Sequence, residues 1–322
     1  MATPSATALA HALARYHATH FPARLVYAFA LRRELGHREW AFHVAEAGHD
    51  SNRGAEPLVW RNQSFDSASE LEEFLRSDRR HVVRVELGAL YSVAPRYERL
   101  YKVGAFALAR ELVFDIDASS YDEGAVGFKR KCCRASDVCA RCWPLLACAA
   151  SVIDHVLRAQ LGFARVLWLY SGGRGVHAWV CDERAATLAD GARRIVEHTC
   201  AVLARPVEDG TRPPSGERAL RAIMETWRRI YAEAQGVSAV EPEAMAPRID
   251  AAVSAQRSHL LRAPFSAHAR TGSVALPLPL DVLQRFDPQK APHVSELGSA
   301  SEGAALFRES VRYFEEFTIK RV

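Results

Sequence analysis

Two kinds of hydrophobic spacing alternate along the chain, and together they predict a mixed α/β fold. Helices, in which apolar residues recur every three or four positions, are predicted in four segments: Ala8–Tyr16, Ser69–Arg76, Pro144–Gln160 and Ala304–Phe317. Apolar or alternating runs typical of strands occupy seven others: Pro57–Phe65, Val82–Leu87, Glu111–Asp117, Arg165–Tyr170, Val176–Cys181, Ile249–Val253 and Ser273–Leu280.

Capping residues and face patterns refine two of these helices. Ser67 and Ser69 stand ahead of an acidic stretch, an arrangement that favours a helix start. In the segment Pro144–Gln160, apolar residues such as Leu146 and Ile153 share one face, so we expect that face to pack on the sheet.

The pattern turns helical from Arg184 to about Gln235, where apolar residues mark one face, and Arg205–Glu217 is predicted as a loop because it is rich in proline, glycine and charge. Strand-like runs return after Pro247. The predicted organisation is therefore a mixed α/β domain over residues 1–183 and 246–322, with a helical insertion over 184–245.

Composition narrows the class of protein only slightly. The 322 residues suffice for one large domain or two of ordinary size, and a net charge of +4 is too small to identify a nucleic-acid binder. The longest apolar run, around Trp143–Ile153, falls far short of the ~20 residues of a spanning helix. We expect a soluble intracellular protein with no membrane association.

The segment Ser171–Val180 (SGGRGVHAWV) joins two predicted strands through a glycine turn. Glycines allow backbone N–H groups to approach an anion, and Arg174 offers a planar set of donors for phosphate oxygens. With the hydroxyl of Ser171 and the imidazole of His177, the turn suits a triphosphate. By itself, the same pattern equally fits an ordinary β-hairpin with a solvated arginine.

Two carboxylates, Asp115 and Asp117, stand two residues apart on an apolar strand and therefore project from one face. Such a pair repels unless a divalent cation such as Mg²⁺ or Mn²⁺ compensates it. Taken alone, the pair fits a solvated strand end better, and the adjacent turn that suits a triphosphate changes the balance in favour of the cation site. Nucleotidyl transfer uses two such cations about 4 Å apart. Asp250, in a strand-like run, is a candidate third carboxylate, although alone it fits a surface strand residue better.

Four of the seven cysteines lie within eleven positions, at Cys132, Cys133, Cys139 and Cys142. Four thiolates form a closed tetrahedral zinc site, and the gap of two residues between Cys139 and Cys142 is usual for such a site. We therefore expect structural Zn²⁺ at 132–142, while the other cysteines are expected to be small buried residues in a reducing compartment.

Taken together, these motifs resemble the small, catalytic subunit of the archaeal and eukaryotic DNA primase, most closely its eukaryotic form. Further matching segments extend the resemblance over about residues 30–290: Arg38-Glu39 before an aromatic residue, Arg61–Phe65, Leu87–Ser92, Pro247–Ser254 and His259–Ser266.

The resemblance implies a primase catalytic fold that makes short RNA primers on single-stranded DNA from ribonucleoside triphosphates. It assigns the catalytic metals to Asp115, Asp117 and Asp250, and structural zinc to the four cysteines. The residues it assigns to nucleotide binding are Arg61, Ser171, Arg174, His177, Arg262 and His268. It further implies a large subunit carrying an iron–sulfur domain, the replicative DNA polymerase alpha complex as a partner, and a nuclear location, with a mitochondrial role also open.

Two positions depart from the family pattern. Gly173 stands where an arginine is common, and Arg262 replaces a lysine, which exchanges a compact point charge for a planar fork. Two other functions are considered. A related primase-polymerase of repair or damage tolerance is disfavoured by the cysteine cluster, and a zinc-stabilised nucleic-acid-binding module without catalysis is disfavoured by the three aspartates.

Overall fold

The structure is a computed structural model that describes residues 6–31, 37–45, 57–77, 81–100, 106–122, 130, 132–133, 137–202 and 215–320. Within these residues the chain forms ten α-helices and nine β-strands, in this order: α1 Ala6–Thr19, α2 Ala23–Ala30, β1 His37–Ala45, β2 Leu58–Gln63, α3 Ala68–Arg76, β3 His81–Tyr91, β4 Ala107–Ala109, β5 Leu112–Asp117, α4 Trp143–His155, β6 Val166–Tyr170, β7 Gly175–Val180, α5 Glu183–Ala186, α6 Asp190–Val202, α7 Ser215–Gln235, α8 Ala251–Ala255, β8 Leu261–Arg262, β9 Leu276–Leu278, α9 Leu280–Gln284 and α10 Glu302–Ile319.

The chain divides into two compact units, each assembled from separate segments of the sequence. The first comprises Met1–Arg110, Arg257–Pro277 and Ala291–Val322, and the second comprises Glu111–Gln256 and Leu278–Lys290. Helices α6 and α7 belong to the second unit, together with β5, β6 and β7. The division into an α/β domain and a helical insertion over 184–245 stays a prediction.

The first unit contains an antiparallel sheet in the order β2-β1-β3-β4, with β8 also paired to β3. Five consecutive residues of β1, Arg38 to Phe42, are buried. Trp40 and Phe42 make ring contacts with Phe65, and Phe42 also contacts Phe74. Ser67 caps α3 by accepting a hydrogen bond from the N–H of Glu70, as its sequence predicts. These aromatic contacts hold α3 against the buried face of the sheet.

The second unit is organised around β7, which pairs antiparallel with β5 on one side and β6 on the other. The sheet order is β5-β7-β6-β9, and the unit boundary falls within β9. Helix α4 packs against α7 and α9, and every residue from Trp143 to Asp154 is buried. The sequence predicts one buried face on this helix, whereas in the structure neighbouring elements bury nearly all sides of α4.

Predicted segments around the C-terminal part of the sequence need three corrections. The strand predicted over Ile249–Val253 is wrong, because Asp250 caps the short helix α8 instead. Only Leu276–Leu278 of the run Ser273–Leu280 forms a strand. Of the predicted loop Arg205–Glu217, residues 205–214 lie outside the described residues, and α7 already begins at Ser215.

No helix among the described residues combines the length and the apolar composition that crossing a membrane requires.

The stability of the first unit should depend on pH through one buried imidazole. Nδ1 of His17 lies 2.9 Å from the carbonyl oxygen of Leu13 and 3.0 Å from that of Val82. The N–H of Ala267 donates to Nε2 at 3.4 Å. Burial lowers the pKa of His17 from 6.5 to about 4, although both carbonyls oppose that shift.

The pKa of His17 is lower in the folded chain than in the unfolded chain. The stability that neutral His17 contributes is therefore fully present above pH 6.5 and is lost as the pH falls towards 4. We expect the free energy of unfolding to fall by roughly 2 kcal/mol between pH 8 and pH 5. Urea unfolding at both values measures it. His17→Gln, which cannot titrate, should show a correspondingly flatter profile, and an equally steep profile in this variant would contradict the assignment.

Candidate active site

The register between β5 and β7 sets the positions of the predicted catalytic side chains. Asp115 lies opposite His177 and Asp117 lies opposite Gly175. The intervening Ile116 is fully buried. Because side chains alternate along a strand, burying Ile116 places both aspartates on the same, partly exposed face.

A basic side chain faces each carboxylate. Nε of Arg174 donates to both oxygens of Asp117, at 2.7 and 2.9 Å. Nε2 of His177 lies 3.5 Å from Oδ1 of Asp115, and the His177 side chain is only 6% exposed. Oδ1 of Asp117 also accepts hydrogen bonds from the N–H and hydroxyl of Ser119, at 2.7 and 2.8 Å. These contacts offset the repulsion between the two carboxylates.

The glycine turn between β6 and β7 is built around the hydroxyl of Ser171. This oxygen accepts hydrogen bonds from the N–H of Gly173 at 3.3 Å and of Gly175 at 3.1 Å. Gly172 has a φ of 78°, which favours glycine. The hydroxyl of Tyr170 donates to the carbonyl of Gly173 at 2.7 Å. Ser171 thus shapes the turn, and its contact with a triphosphate stays a prediction.

A backbone hydrogen bond places Asp250 next to β5, because its N–H donates to the carbonyl of Asp115 at 2.9 Å. Oδ1 of Asp250 accepts from the N–H of Ala252 at 3.0 Å and of Val253 at 3.4 Å, which makes Asp250 the N-cap of α8. Aspartate is among the residues preferred at this position. The backbone of Asp250 therefore lies beside that of Asp115 at a helix start, and the role of its carboxylate as a metal ligand stays a prediction.

The donor set fits a divalent cation such as Mg²⁺ or Mn²⁺. Asp115 and Asp117 offer carboxylate oxygens, the hard ligands that these ions prefer. Their side chains are 31% and 37% exposed, so solvent and ions can reach them.

The other predicted nucleotide-binding residues, Arg61, Arg262 and His268, belong to the first unit. Nε and Nη2 of Arg61 donate to the two carboxylate oxygens of Glu39, at 3.0 and 3.3 Å. Arg262 on β8 lies opposite Glu86 on β3. A joint role for these three residues at the nucleotide stays a prediction of the resemblance.

His268 lies at a turn and orders it locally. Its Nδ1 accepts from the N–H groups of Arg270 and Thr271, both at 3.3 Å, and its backbone carbonyl accepts from the N–H of Gly272 at 2.9 Å. The imidazole of His268 is therefore fixed by backbone N–H groups of its own turn.

No function is predicted from the sequence for two carboxylates, Glu39 and Glu86. Their side chains are 0% and 7% exposed, respectively. Burial alone would raise the pKa of Glu86, but the hydrogen bond from His43 and the charges of Arg84 and Arg262 lower it to about 2. A glutamate next to apolar residues inside a predicted or possible strand is the one local signal for them, because a buried carboxylate needs a cationic partner.

The four cysteines form the predicted cluster. Their Sγ atoms all lie within 4.8 Å of one another, with Cys142 at 3.9 Å from Cys139 and 3.8 Å from Cys133. Ligand atoms placed 2.3 Å from a tetrahedral zinc ion are about 3.8 Å apart. Burial and the neighbouring thiols raise the pKa of Cys142 to about 11, so a bound cation is needed to hold its thiolate at neutral pH.

Comparison with known proteins decides the family. A family model described as DNA primase small subunit matches residues 114–280, more than half of the 322-residue chain. The chain belongs to the DNA primase small subunit family. The matched residues of this primase-family chain include Asp115, Asp117, the cysteine cluster, the glycine turn and Asp250.

Curated relatives come from eukaryotes and archaea. The chain is 28% identical over 287 residues to the DNA primase small subunit of Schizosaccharomyces pombe, covering 66% of this chain and 62% of that protein. Identity to the DNA primase small subunit of Drosophila melanogaster is 27%, covering 72% and 69%. DNA primase small subunit PriS of Pyrobaculum calidifontis is 29% identical, covering 78% and 74%. The chain spans less than two thirds of the length of the Schizosaccharomyces relative.

Among solved structures, the polymerase domain of Mycobacterium tuberculosis Ligase D, in complex with DNA, aligns over 96% of this chain and 91% of that chain. The TM-score is 0.46 and the sequence identity 15%.

Gly175→Ala should disrupt the pairing that carries the aspartates. A Cβ at this position would overlap the backbone carbonyl oxygen of Ile116 and lie 3.3 Å from the Cα of Asp117. We expect a loss of roughly 1–3 kcal/mol in the free energy of unfolding, since neither backbone atom can move without separating the strands.

Gly191→Ala in α6 is the matched control, because a Cβ there meets nothing within 4 Å. It should be neutral or stabilise by up to about 1 kcal/mol, as alanine is the better helix former. Denaturant unfolding of both variants measures the difference, and equal midpoints would contradict the close approach at Gly175.

Proposed function

We propose that this primase-family chain catalyses DNA-templated synthesis of short RNA primers from ribonucleoside triphosphates on single-stranded DNA, for the initiation of DNA replication and for lagging-strand synthesis. The observation that carries this proposal is the pairing of β5 with β7, which sets Asp115 and Asp117 against His177 and Arg174. Carboxylates for cations and basic groups for phosphates thereby share one site.

In this proposal Asp115, Asp117 and Asp250 hold the catalytic Mg²⁺ or Mn²⁺. The bound ions would lower the pKa of the attacking 3′-hydroxyl and neutralise charge on the phosphates. Arg174 would exchange its contact with Asp117 for one with the triphosphate, where it and His177 stabilise charge on the departing pyrophosphate. Ser171, in the same turn, would bind a phosphate oxygen.

For the first unit, we propose that Arg61, Arg262 and His268 also contact the nucleotide. Glu39 and Glu86 would then act as positioning residues, because each holds or neighbours one of the two arginines. The four cysteines would hold structural Zn²⁺, with no open position for water because all four ligands come from the protein.

Partners and location follow the family. The term small subunit in the relatives' names implies a large-subunit partner. We propose that this partner carries an iron–sulfur domain, that the DNA polymerase alpha complex extends the primer, and that the chain acts in the nucleus.

Asp117→Asn tests the catalytic assignment. Primer synthesis on a single-stranded template with ribonucleotides should fall about 100-fold or more, because the variant loses a charged ligand while keeping the side-chain shape. Asp281→Ala is the control, since that carboxylate is 67% exposed and pairs with Arg285 of the same surface. Primer yield on gels measures both, and full activity of Asp117→Asn would refute the metal assignment.

Gly173→Arg tests whether a phosphate contact is missing from the turn. The positive φ of the turn lies at Gly172 and not at Gly173, so the backbone conformation at residue 173 is open to residues other than glycine. We expect the Kd for a nucleoside triphosphate to fall about tenfold, the effect of one further charge-assisted hydrogen bond. Calorimetric titration measures this, with Gly173→Ala as control. If Gly173→Arg and Gly173→Ala bind the nucleotide with equal affinity, the prediction of a missing phosphate contact at residue 173 is wrong.

A further inference from the structure

The last turn of α7 and the cysteine loop are joined by reciprocal hydrogen bonds. The guanidinium of Arg141 donates to the carbonyl of Ala234 at 2.9 Å and to that of Gln235 at 3.3 Å. In return, Nε2 of Gln235 donates to the carbonyl of Arg141 at 2.7 Å. Arg141 lies between Cys139 and Cys142, so the loop that supplies two cysteines also caps the helix.

This arrangement satisfies groups that a helix cannot satisfy by itself. The last four carbonyls of a helix have no partner within it, and an arginine near the C-terminus can both bond them and interact favourably with the helix dipole. Helix α7 also packs along α4, which begins directly after Cys142. The end of α7 and the start of α4 therefore meet at the cysteine cluster.

Gln235 has a second contact that capping does not require. The same Nε2 lies 3.5 Å from Sγ of Cys132, within hydrogen-bond distance for sulfur. At another cysteine of the cluster, Nη1 of Arg130 lies 3.6 Å from Sγ of Cys142. The Arg130 side chain is 0% exposed and is held by Asp122 at 2.7 Å. Each of these two sulfur atoms thus has an N–H donor.

Donors at these positions match the electrostatics of a zinc site. Four thiolates and one Zn²⁺ carry a net charge of −2, so N–H groups directed at the sulfur atoms stabilise the loaded cluster. An amide is well suited to this task because it donates without adding charge, whereas a carboxylate of the same size would repel the thiolates.

We infer that Gln235 is a positioning residue of the zinc site and that zinc loading orders the C-terminal end of α7 through it. This inference rests on the proposed zinc occupancy and is independent of primer synthesis. Loss of the metal frees Cys132 from its place beside Gln235, and the hydrogen bonds that close the last turn of α7 loosen with it.

Zinc release from the purified chain to a chromogenic chelator tests the contact. Gln235→Ala should weaken zinc affinity about 10- to 100-fold, as is usual when such a second-layer partner is lost. Gln235→Glu should weaken it at least as much, because its added charge repels the thiolates. Gln289→Ala, at an exposed glutamine distant in sequence from the cluster, should release zinc like the original chain. Unchanged release from both Gln235 variants overturns the inference.

Hydrogen exchange of residues 225–235 supplies the second readout. Chelation should accelerate exchange in the original chain, and in Gln235→Ala this segment should already exchange faster with zinc bound. Exchange that is unaffected by chelation overturns the link between zinc and α7. A purified chain without zinc by metal analysis overturns the zinc assignment together with this inference, whereas loss of activity in Asp117→Asn would still support the proposed catalytic function.

Discussion

The antiparallel pairing of β5 with β7 is the constraint on which the candidate site depends. Ile116 and its apolar neighbours are buried on one face, and hydrophobic burial selects the register that keeps them there. A slip of one residue would exchange the two faces of the strand. The same burial that stabilises the sheet therefore decides that Asp115 faces His177 and that Asp117 lies beside Arg174. Core packing and site chemistry are set by a single choice of register.

Local patterns in the sequence predict most of the helices and strands of the site, but they do not predict contacts between residues that are far apart in sequence. The strand carrying the aspartates, the glycine turn and the cysteine cluster follow from short-range spacing, which one segment contains in full. The functions of Glu39 and Glu86 depend on partners brought from other strands, so their own neighbours in sequence carry little signal. The short apolar run around Asp250 fits either a strand or a helix, and the sequence alone predicts a strand. In the structure, the hydrogen bonds that Asp250 accepts at the N-cap stabilise a short helix instead.

Arginines dominate the basic residues of the chain, and many described ones are committed to internal contacts. Arg193 is fully buried and donates to carbonyls that include Leu188 and Glu111. Arg61 holds the buried Glu39, and Arg130 is paired with Asp122. Such pairs compensate charges that would be costly to bury alone. The net charge of +4 therefore says little about the surface that DNA or nucleotides would meet.

The discontinuous make-up of the two units has a consequence for the order of events during synthesis. All segments of the second unit precede residue 291, whereas the first unit includes α10. Phe314 of α10 is fully buried against Phe29 and Phe265, so the core of the first unit lacks a central side chain until that helix is made. Every segment of the second unit is therefore synthesised before α10, whereas helices α1 and α2 of the first unit wait for α10 to complete their core.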